Sequence, residues 1–127
     1  MGQTMIVAGI GCRKGVSTEA VIAALAQVEQ AHGVKIDFIA TAPLKADEPA
    51  LLDAATRLNM AFVVVAQADF EKAAARTLTR SDASIKHSGS PSVSEAAALA
   101  ALGESSRLMG PRVVVGDVTV ALTVGDG

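Results

Sequence analysis

The chain has no tryptophan, no tyrosine and only three phenylalanines among its 127 residues. Aromatic stacking on a ligand therefore falls to Phe38, Phe62 or Phe70. Its single cysteine, Cys12, excludes an internal disulfide and a cysteine-cluster zinc site. The net charge of −2 lacks the basic footprint of a general nucleic-acid binder. No apolar run approaches the ~18 residues of a membrane span. The short apolar start has no basic n-region, so no signal peptide is expected. Neither a metal-ligand spacing nor an internal repeat is visible, and no metal or cofactor is expected. Together these absences point to a cytoplasmic protein without nucleic-acid or membrane partners. Half of the residues are apolar, enough for a core in one domain spanning residues 1–127.

Against that background one stretch stands out: Gly9-Ile10-Gly11-Cys12-Arg13-Lys14-Gly15-Val16-Ser17. It follows the apolar run Met5-Ile6-Val7-Ala8, part of a buried strand over residues 5–10. It precedes a helical pattern over residues 18–31, with Val21, Ile22, Leu25 and Val28 at spacings of three and four. The order is strand, glycine turn, helix. Glycines allow a tight turn and positive φ. Ser17 suits the N-cap, and Glu19 suits the positive first turn. Bare backbone N–H groups at such a junction attract anions, and Arg13 and Lys14 add two cations. The loop is neither a Walker A loop nor a dinucleotide fingerprint. Lys14 is not followed by Ser or Thr, and the third glycine falls at position 15 instead of 14. Its alternative reading is a sharp βα turn with solvated basic side chains.

Gly33 closes the first helix. Residues 36–41 read as a second strand, followed by a loop over 42–49. Asp47 or Glu48 caps the next helix, which carries Pro49 in its first turn and runs to Leu58. Residues 61–66 read as a third strand, apolar on both faces, and 69–75 as a short amphipathic segment. Residues 77–91 are polar and read as a mobile loop. Ser92-Val93-Ser94-Glu95 has the form of a capping box opening an alanine-rich helix over 93–102. Val113-Val114-Val115 and the run from Val118 to Leu122 flank Gly116-Asp117 as a tight hairpin. The tail, 125–127, is expected to fray.

Strand–helix alternation predicts an α/β fold with three parallel strands covered on both faces, made mixed by the C-terminal hairpin. Parallel strands bring their following loops to one edge. Arg13, Lys14, Lys45, Asp47 and Asp69 would meet there, where ligands bind in open α/β sheets. Cys12 is read as a buried spectator in preference to a nucleophile at a helix N-terminus. His87 is either a solvated loop residue or a general base or axial metal ligand. His32 is read as a favourable charge at a helix end. Asp47 and Glu48 either cap a helix or activate water. Glu95 is the capping-box partner. Thr79, Ser81 and Ser84 either bind carboxylates or simply belong to a polar surface loop.

The first block resembles the opening of the CobE / CbiG C-terminal-domain family of cobalamin biosynthesis. Ala40-Thr41, Lys45-Ala46-Asp47-Glu48, Gly89-x-Pro91-Ser92-Val93-x-Glu95-Ala96-Ala97-Ala98-Leu99, Pro111-Arg112 and Thr119-Val120-Ala121 continue the match in order. Ser90 and Ser94 stand where that family usually has apolar or small residues. The resemblance implies a three-layer α/β/α sandwich with a mixed sheet and a role in corrin-ring assembly, in the free-standing, CobE-like form. It implies a corrinoid or precorrin partner and raises contacts with other cobalamin-pathway enzymes. Such a ligand is a mostly apolar macrocycle fringed with acetate and propionate groups. Its expected contacts are Gly9, Gly11, Cys12, Arg13, Lys14, Gly15, Ser17, Lys45, Thr79, Ser81 and Arg112. Two functions stay open. One is a carrier or accessory protein for a corrin precursor. The other is a hydrolase that opens the lactone of a precorrin-5A-type intermediate with release of acetaldehyde, for which Asp47, Glu48 and His87 are the catalytic candidates.

Overall fold

The structure, a computed structural model, describes residues 4–79 and 92–126. The strands are β1 (Thr4–Cys12), β2 (Phe38–Thr41), β3 (Ala61–Val64), β4 (Arg107–Leu108), β5 (Val113–Val115) and β6 (Val118–Asp126). The helices are α1 (Thr18–His32), α2 (Pro49–Leu58), α3 (Gln67–Ala73) and α4 (Val93–Leu102). They build one mixed sheet in the order β3-β2-β1-β6-β4, with β5 also paired to β6. β1, β2 and β3 are parallel, and β6 runs antiparallel to β1 from Thr4↔Asp126 to Cys12↔Val118.

Period-two alternation sorts the strands between two faces. Ala8, Ile10, Ile39, Val118, Val120 and Leu122 pack with α1 and α2 through Val21, Leu25, Val28 and Leu51. Val7 and Ala40 pack on the other face with Phe70 of α3 and with Ala96 and Leu99 of α4. Helices therefore cover both faces, as the strand–helix alternation predicts. Within α1 the buried stripe is Val21, Ala24, Leu25 and Val28, and Gly33 closes the helix at φ 64°. Among the described residues, no helix is long and apolar enough to cross a membrane.

Several expectations are corrected. β1 runs on past residue 10 to Cys12, so Gly11, like Gly9, belongs to the strand and not to a turn. A Cβ on Gly9 would overlap the Ser94 carbonyl oxygen and Ala98, so this glycine lets α4 lie directly on the strand. A Cβ on Gly11 would stand 2.8 Å from Thr119 Oγ1. β2 starts later than expected because the Ile36 N–H donates to Glu29 Oε2 at 2.7 Å rather than to the sheet. β3 is an edge strand with Ala61 and Val64 exposed, so its apolar character does not mean burial on both faces. Residues 125 and 126 do not fray, because β1 supplies Met5 and Thr4 as their partners. β4, only two residues long, pairs with Val124 and Thr123 of β6 and carries no sequence pattern of its own. The hairpin is as expected: Val115 pairs with Val118 and Gly116 takes φ 61°. Of the predicted polar loop over 77–91, residues 80–91 lie outside the described residues. They include Ser81, Ser84 and His87.

Candidate functional site

The loops after β1 and β2 enclose an open cleft of about 930 Å³ at the carboxyl edge of the parallel strands. Residues from Lys14 to Glu19 form one wall, and Leu44, Lys45, Asp47, Glu48, Pro49, Ala50 and Asp53 form the other. The β1–α1 connection is a tight turn in which the Val16 N–H donates to Arg13 O at 3.2 Å and Gly15 takes φ 82°. That is the third position of a type II turn, which favours glycine. Ser17 caps α1, its hydroxyl accepting from the Ala20 N–H at 3.1 Å. Of the other first-turn N–H groups, that of Glu19 serves its own carboxylate.

Two lysines line this cleft, Lys14 and Lys45, and among the described residues neither carries an ion pair. Four carboxylates line it as well: Glu19, Asp47, Glu48 and Asp53. Arg57 pairs with two of them. Its Nη2 stands 3.0 Å from Asp53 Oδ2, and its Nη1 stands 3.3 Å from Glu19 Oε1. Asp53 also accepts from Thr18 Oγ1 at 3.0 Å, which fixes the start of α1 against α2. Arg57 and the α1 N-terminus hold the fully exposed Glu19 carboxyl below its usual range through the backbone N–H of Glu19 itself and then through Arg57. With Arg57, three cations face four carboxylates, so the cleft as a whole is net negative by one charge. The roughly half positive charge of the α1 N-terminus, next to Lys14, makes that end the more favourable place for an anion. Asp47 and Glu48 stand instead at the start of α2, where Glu48 is the N-cap residue but makes no side-chain cap bond. Val16, Leu44, Pro49 and Ala50 supply an apolar lining that sequence reasoning had not located.

The remaining candidates fall elsewhere. Arg13 points away from the cleft wall, with Nε 3.4 Å from Asp117 Oδ1 at the hairpin turn, both side chains being exposed. Such a pair contributes about 1 kcal/mol or less, so it does not lock Arg13 away from a ligand. Gly9 and Gly11 lie beneath α4. Cys12 is half-buried near Lys45 and Glu48. Burial pushes its thiol up to about 11; Lys45 opposes this and Glu48 adds to it. A helix-terminal nucleophile would need a lowered value, and this shift runs the other way. Asp69 is exposed in the first turn of α3 and does not line the cleft. His32 Nδ1 lies 3.1 Å from Val28 O at the end of α1.

A second locus forms around Glu95, which is fully buried. The capping box does not exist: Ser92 is the N-cap of α4 without a side-chain cap bond, and the Glu95 carboxylate turns to other partners. It accepts from the Leu78 N–H at 2.7 Å, the Thr79 N–H at 2.8 Å, Thr79 Oγ1 at 2.7 Å and the Arg112 N–H at 2.7 Å. Thr79 therefore spends its hydroxyl hydrogen on Glu95, not on a ligand carboxylate. Thr79 and Arg112 come together here, away from the lysine cleft. Sequence reasoning missed Glu95 as a tertiary acceptor because its partners lie far along the chain. It also missed the Asp53–Arg57 pair, whose i,i+4 spacing was the available signal.

Residues 6–123 match the family described as Cobalamin synthesis G C-terminus. Protein CobE from Sinorhizobium sp is 31% identical over 121 residues, covering 92% of this chain and 78% of that protein. Among solved structures, cobalamin biosynthesis protein chiG from Agrobacterium tumefaciens str. C58 is 59% identical with a TM-score of 0.77, covering 94% of this chain and 97% of that one. The crystal structure of CobE, a protein from the cobalamin (vitamin B12) biosynthetic pathway, superposes with a TM-score of 0.91 at 32% identity, covering 98% of this chain and 94% of that one. The strand order and the paired βα loops are thus those of a family already suggested by the motifs along β1 and α4. The chain belongs to the CobE / CbiG C-terminal family and is a cobalamin biosynthesis protein.

Proposed function

We propose that this protein binds a corrin-ring precursor at the carboxyl edge of its sheet and acts as a carrier or accessory protein in cobalamin assembly. The observation that carries the reading is the open cleft of about 930 Å³. It combines an apolar lining with Lys14, Lys45 and the start of α1, the chemistry demanded by an apolar macrocycle rimmed with carboxylates. The half-buried thiol of Cys12, pushed up to about 11, and the capping bond of Ser17 leave neither as an activated nucleophile. These features favour binding over catalysis. The test uses dicyanocobyrinic acid, which carries free side-chain carboxylates, and dicyanocobinamide, whose side chains are amides. No side chain absorbs visible light, so visible absorbance that co-elutes on gel filtration reports bound corrinoid. The carboxylated probe should co-elute. A Lys14→Ala, Lys45→Ala double variant should bind it about tenfold more weakly at low salt. If neither probe co-elutes, the binding reading fails.

The second reading, hydrolysis of a precursor lactone, is favoured by Asp47 and Glu48 in the same cleft. It requires catalytic amounts of protein to change the mass of a lactone-bearing precorrin. Loss of that conversion in Asp47→Asn or Glu48→Gln would identify the water-activating group.

A further inference from the structure

Glu95 is more heavily hydrogen-bonded than a helix cap requires, and none of the contacts described for it is local. Its carboxylate joins two segments on opposite sides in sequence, Leu78–Thr79 and Arg112, each 16 or 17 residues away. Burying a carboxylate is costly unless its lone pairs are filled, and here four donors fill them. An apolar residue of similar size would serve packing alone as well or better. The bonds do something that apolar packing cannot: one of them fixes the main chain of Arg112, and the other three tie the same carboxylate to Leu78 and Thr79.

Arg112 itself is half-buried, and among the described residues its guanidinium has no ion pair. Its N–H is held at 2.7 Å by Glu95. The start of α4 stands at the carboxyl edge, where the Val93 side chain lies 3.6 Å from the position a Gly11 Cβ would occupy. Arg112 is therefore anchored near the start of α4, at the carboxyl edge but across the sheet from the lysine cleft, and its planar fork, without an ion pair among the described residues, suits a carboxylate.

We infer that Glu95 is a positioning residue for carboxylate recognition by Arg112. This rests on the corrinoid-binding reading, and it assigns one peripheral carboxylate of the ligand to Arg112. Glu95 does not touch the ligand; it acts through the Arg112 main chain.

The test measures the affinity of the intact chain for dicyanocobyrinic acid and dicyanocobinamide by visible-band titration. Glu95→Gln keeps the shape but turns an NH₂ group toward N–H donors. It should weaken the carboxylated probe about tenfold and leave the amide probe within about twofold. Arg112→Ala should show the same selective loss, and the double variant should be no weaker than Arg112→Ala alone. A purely structural Glu95 would give equal losses for both probes, or additive losses, and either result overturns the inference. So does wild-type affinity in Glu95→Gln. If Glu95→Gln does not fold, Thr79→Val decides. It removes only the hydroxyl bond to Glu95 and should weaken the carboxylated probe alone by about threefold. Unchanged or unselective affinity in that variant overturns the inference. If the wild type binds neither probe, the corrinoid reading falls and this inference with it. If the wild type binds and Glu95→Gln binds as well, the positioning role alone falls.

Discussion

Helices α1 and α4 both start at the carboxyl edge, on opposite faces of the sheet, and both start with a serine followed closely by a glutamate. At α1 the local rules hold. Ser17 caps the helix, and Glu19 stays exposed in the first turn, paired with Arg57. At α4 they do not. Glu95 leaves the helix end and is buried as an acceptor for three backbone N–H groups and one hydroxyl. The difference lies in what surrounds each start. The α1 end faces an open cleft, so water and Arg57 satisfy its polar groups. The α4 end is enclosed between β1, the segment before Thr79 and the approach to β5. Donors on the exposed Leu78 and the half-buried Thr79 and Arg112 converge there on one buried acceptor, Glu95. A local motif is decisive only where nothing else competes for its side chains.

The largest expected effect tests the enclosed end. Glu95→Ala strips the acceptor from four donors and should lower stability by about 4 kcal/mol, read as a shift of the urea midpoint with an unchanged slope. A loss no larger than that of a surface substitution would mean that water replaces the carboxylate and that the end is not enclosed.

Next comes the surface on which α4 rests. Gly9→Ala places a methyl against the Ser94 carbonyl, which is backbone and cannot swing aside. It should cost about 3 kcal/mol. Gly11→Ala meets a side-chain hydroxyl, Thr119 Oγ1, which can rotate, and should cost less. If thermal unfolding ranks the two in the reverse order, α4 is not seated on Gly9.

These glycines also mark how far the sequence is legible. The strand–helix order, the parallel pairing of three strands, the α1 cap and the Gly116 turn depend on neighbours in sequence, and they are readable there. Gly9 and Gly11 are ambiguous in sequence because a glycine freed for a turn and a glycine cleared for a helix look alike. Only the approach of α4, more than eighty residues on, separates the two roles. The Arg13–Asp117 pair, the cover given by β1 to residues 125 and 126, and the partners of Glu95 are likewise long-range. Within the cleft, Lys14 and Lys45 follow from parallel strands alone, whereas the pairing of Arg57 with both Glu19 and Asp53 depends on how α1 leans on α2.

A smaller effect belongs to the open end. Ser17→Ala removes the hydroxyl that accepts from Ala20 and should cost about 1 kcal/mol, the usual worth of an N-cap. Ser17→Asp should restore the loss, because a carboxylate there caps and also meets the positive helix end. If Ser17→Ala costs as much as Glu95→Ala, the two helix starts are equally enclosed and the contrast between them disappears.

The smallest effect at neutral pH concerns Cys12, at the end of β1 between the two regions. Its thiol sits near 11 instead of 9 because burial outweighs the nearby Lys45 cation. A thiol with a raised value stays protonated at pH 8, so iodoacetamide should alkylate it about 100-fold more slowly than a free thiol of ordinary value. The sign for stability follows. The folded state holds the thiol proton more tightly than the unfolded state. The contribution is therefore complete below about pH 9 and disappears as pH rises toward about 11. Two variants separate the causes. Lys45→Ala removes the charge that lowers the value and should slow alkylation further. Glu48→Gln removes a charge that raises it and should speed alkylation. Opposite responses would place Cys12 in the field of the cleft wall that carries both Lys45 and Glu48. Equal responses, or alkylation of the wild type at the free-thiol rate, would mean that the end of β1 is open to water and that the cleft extends beneath Lys45.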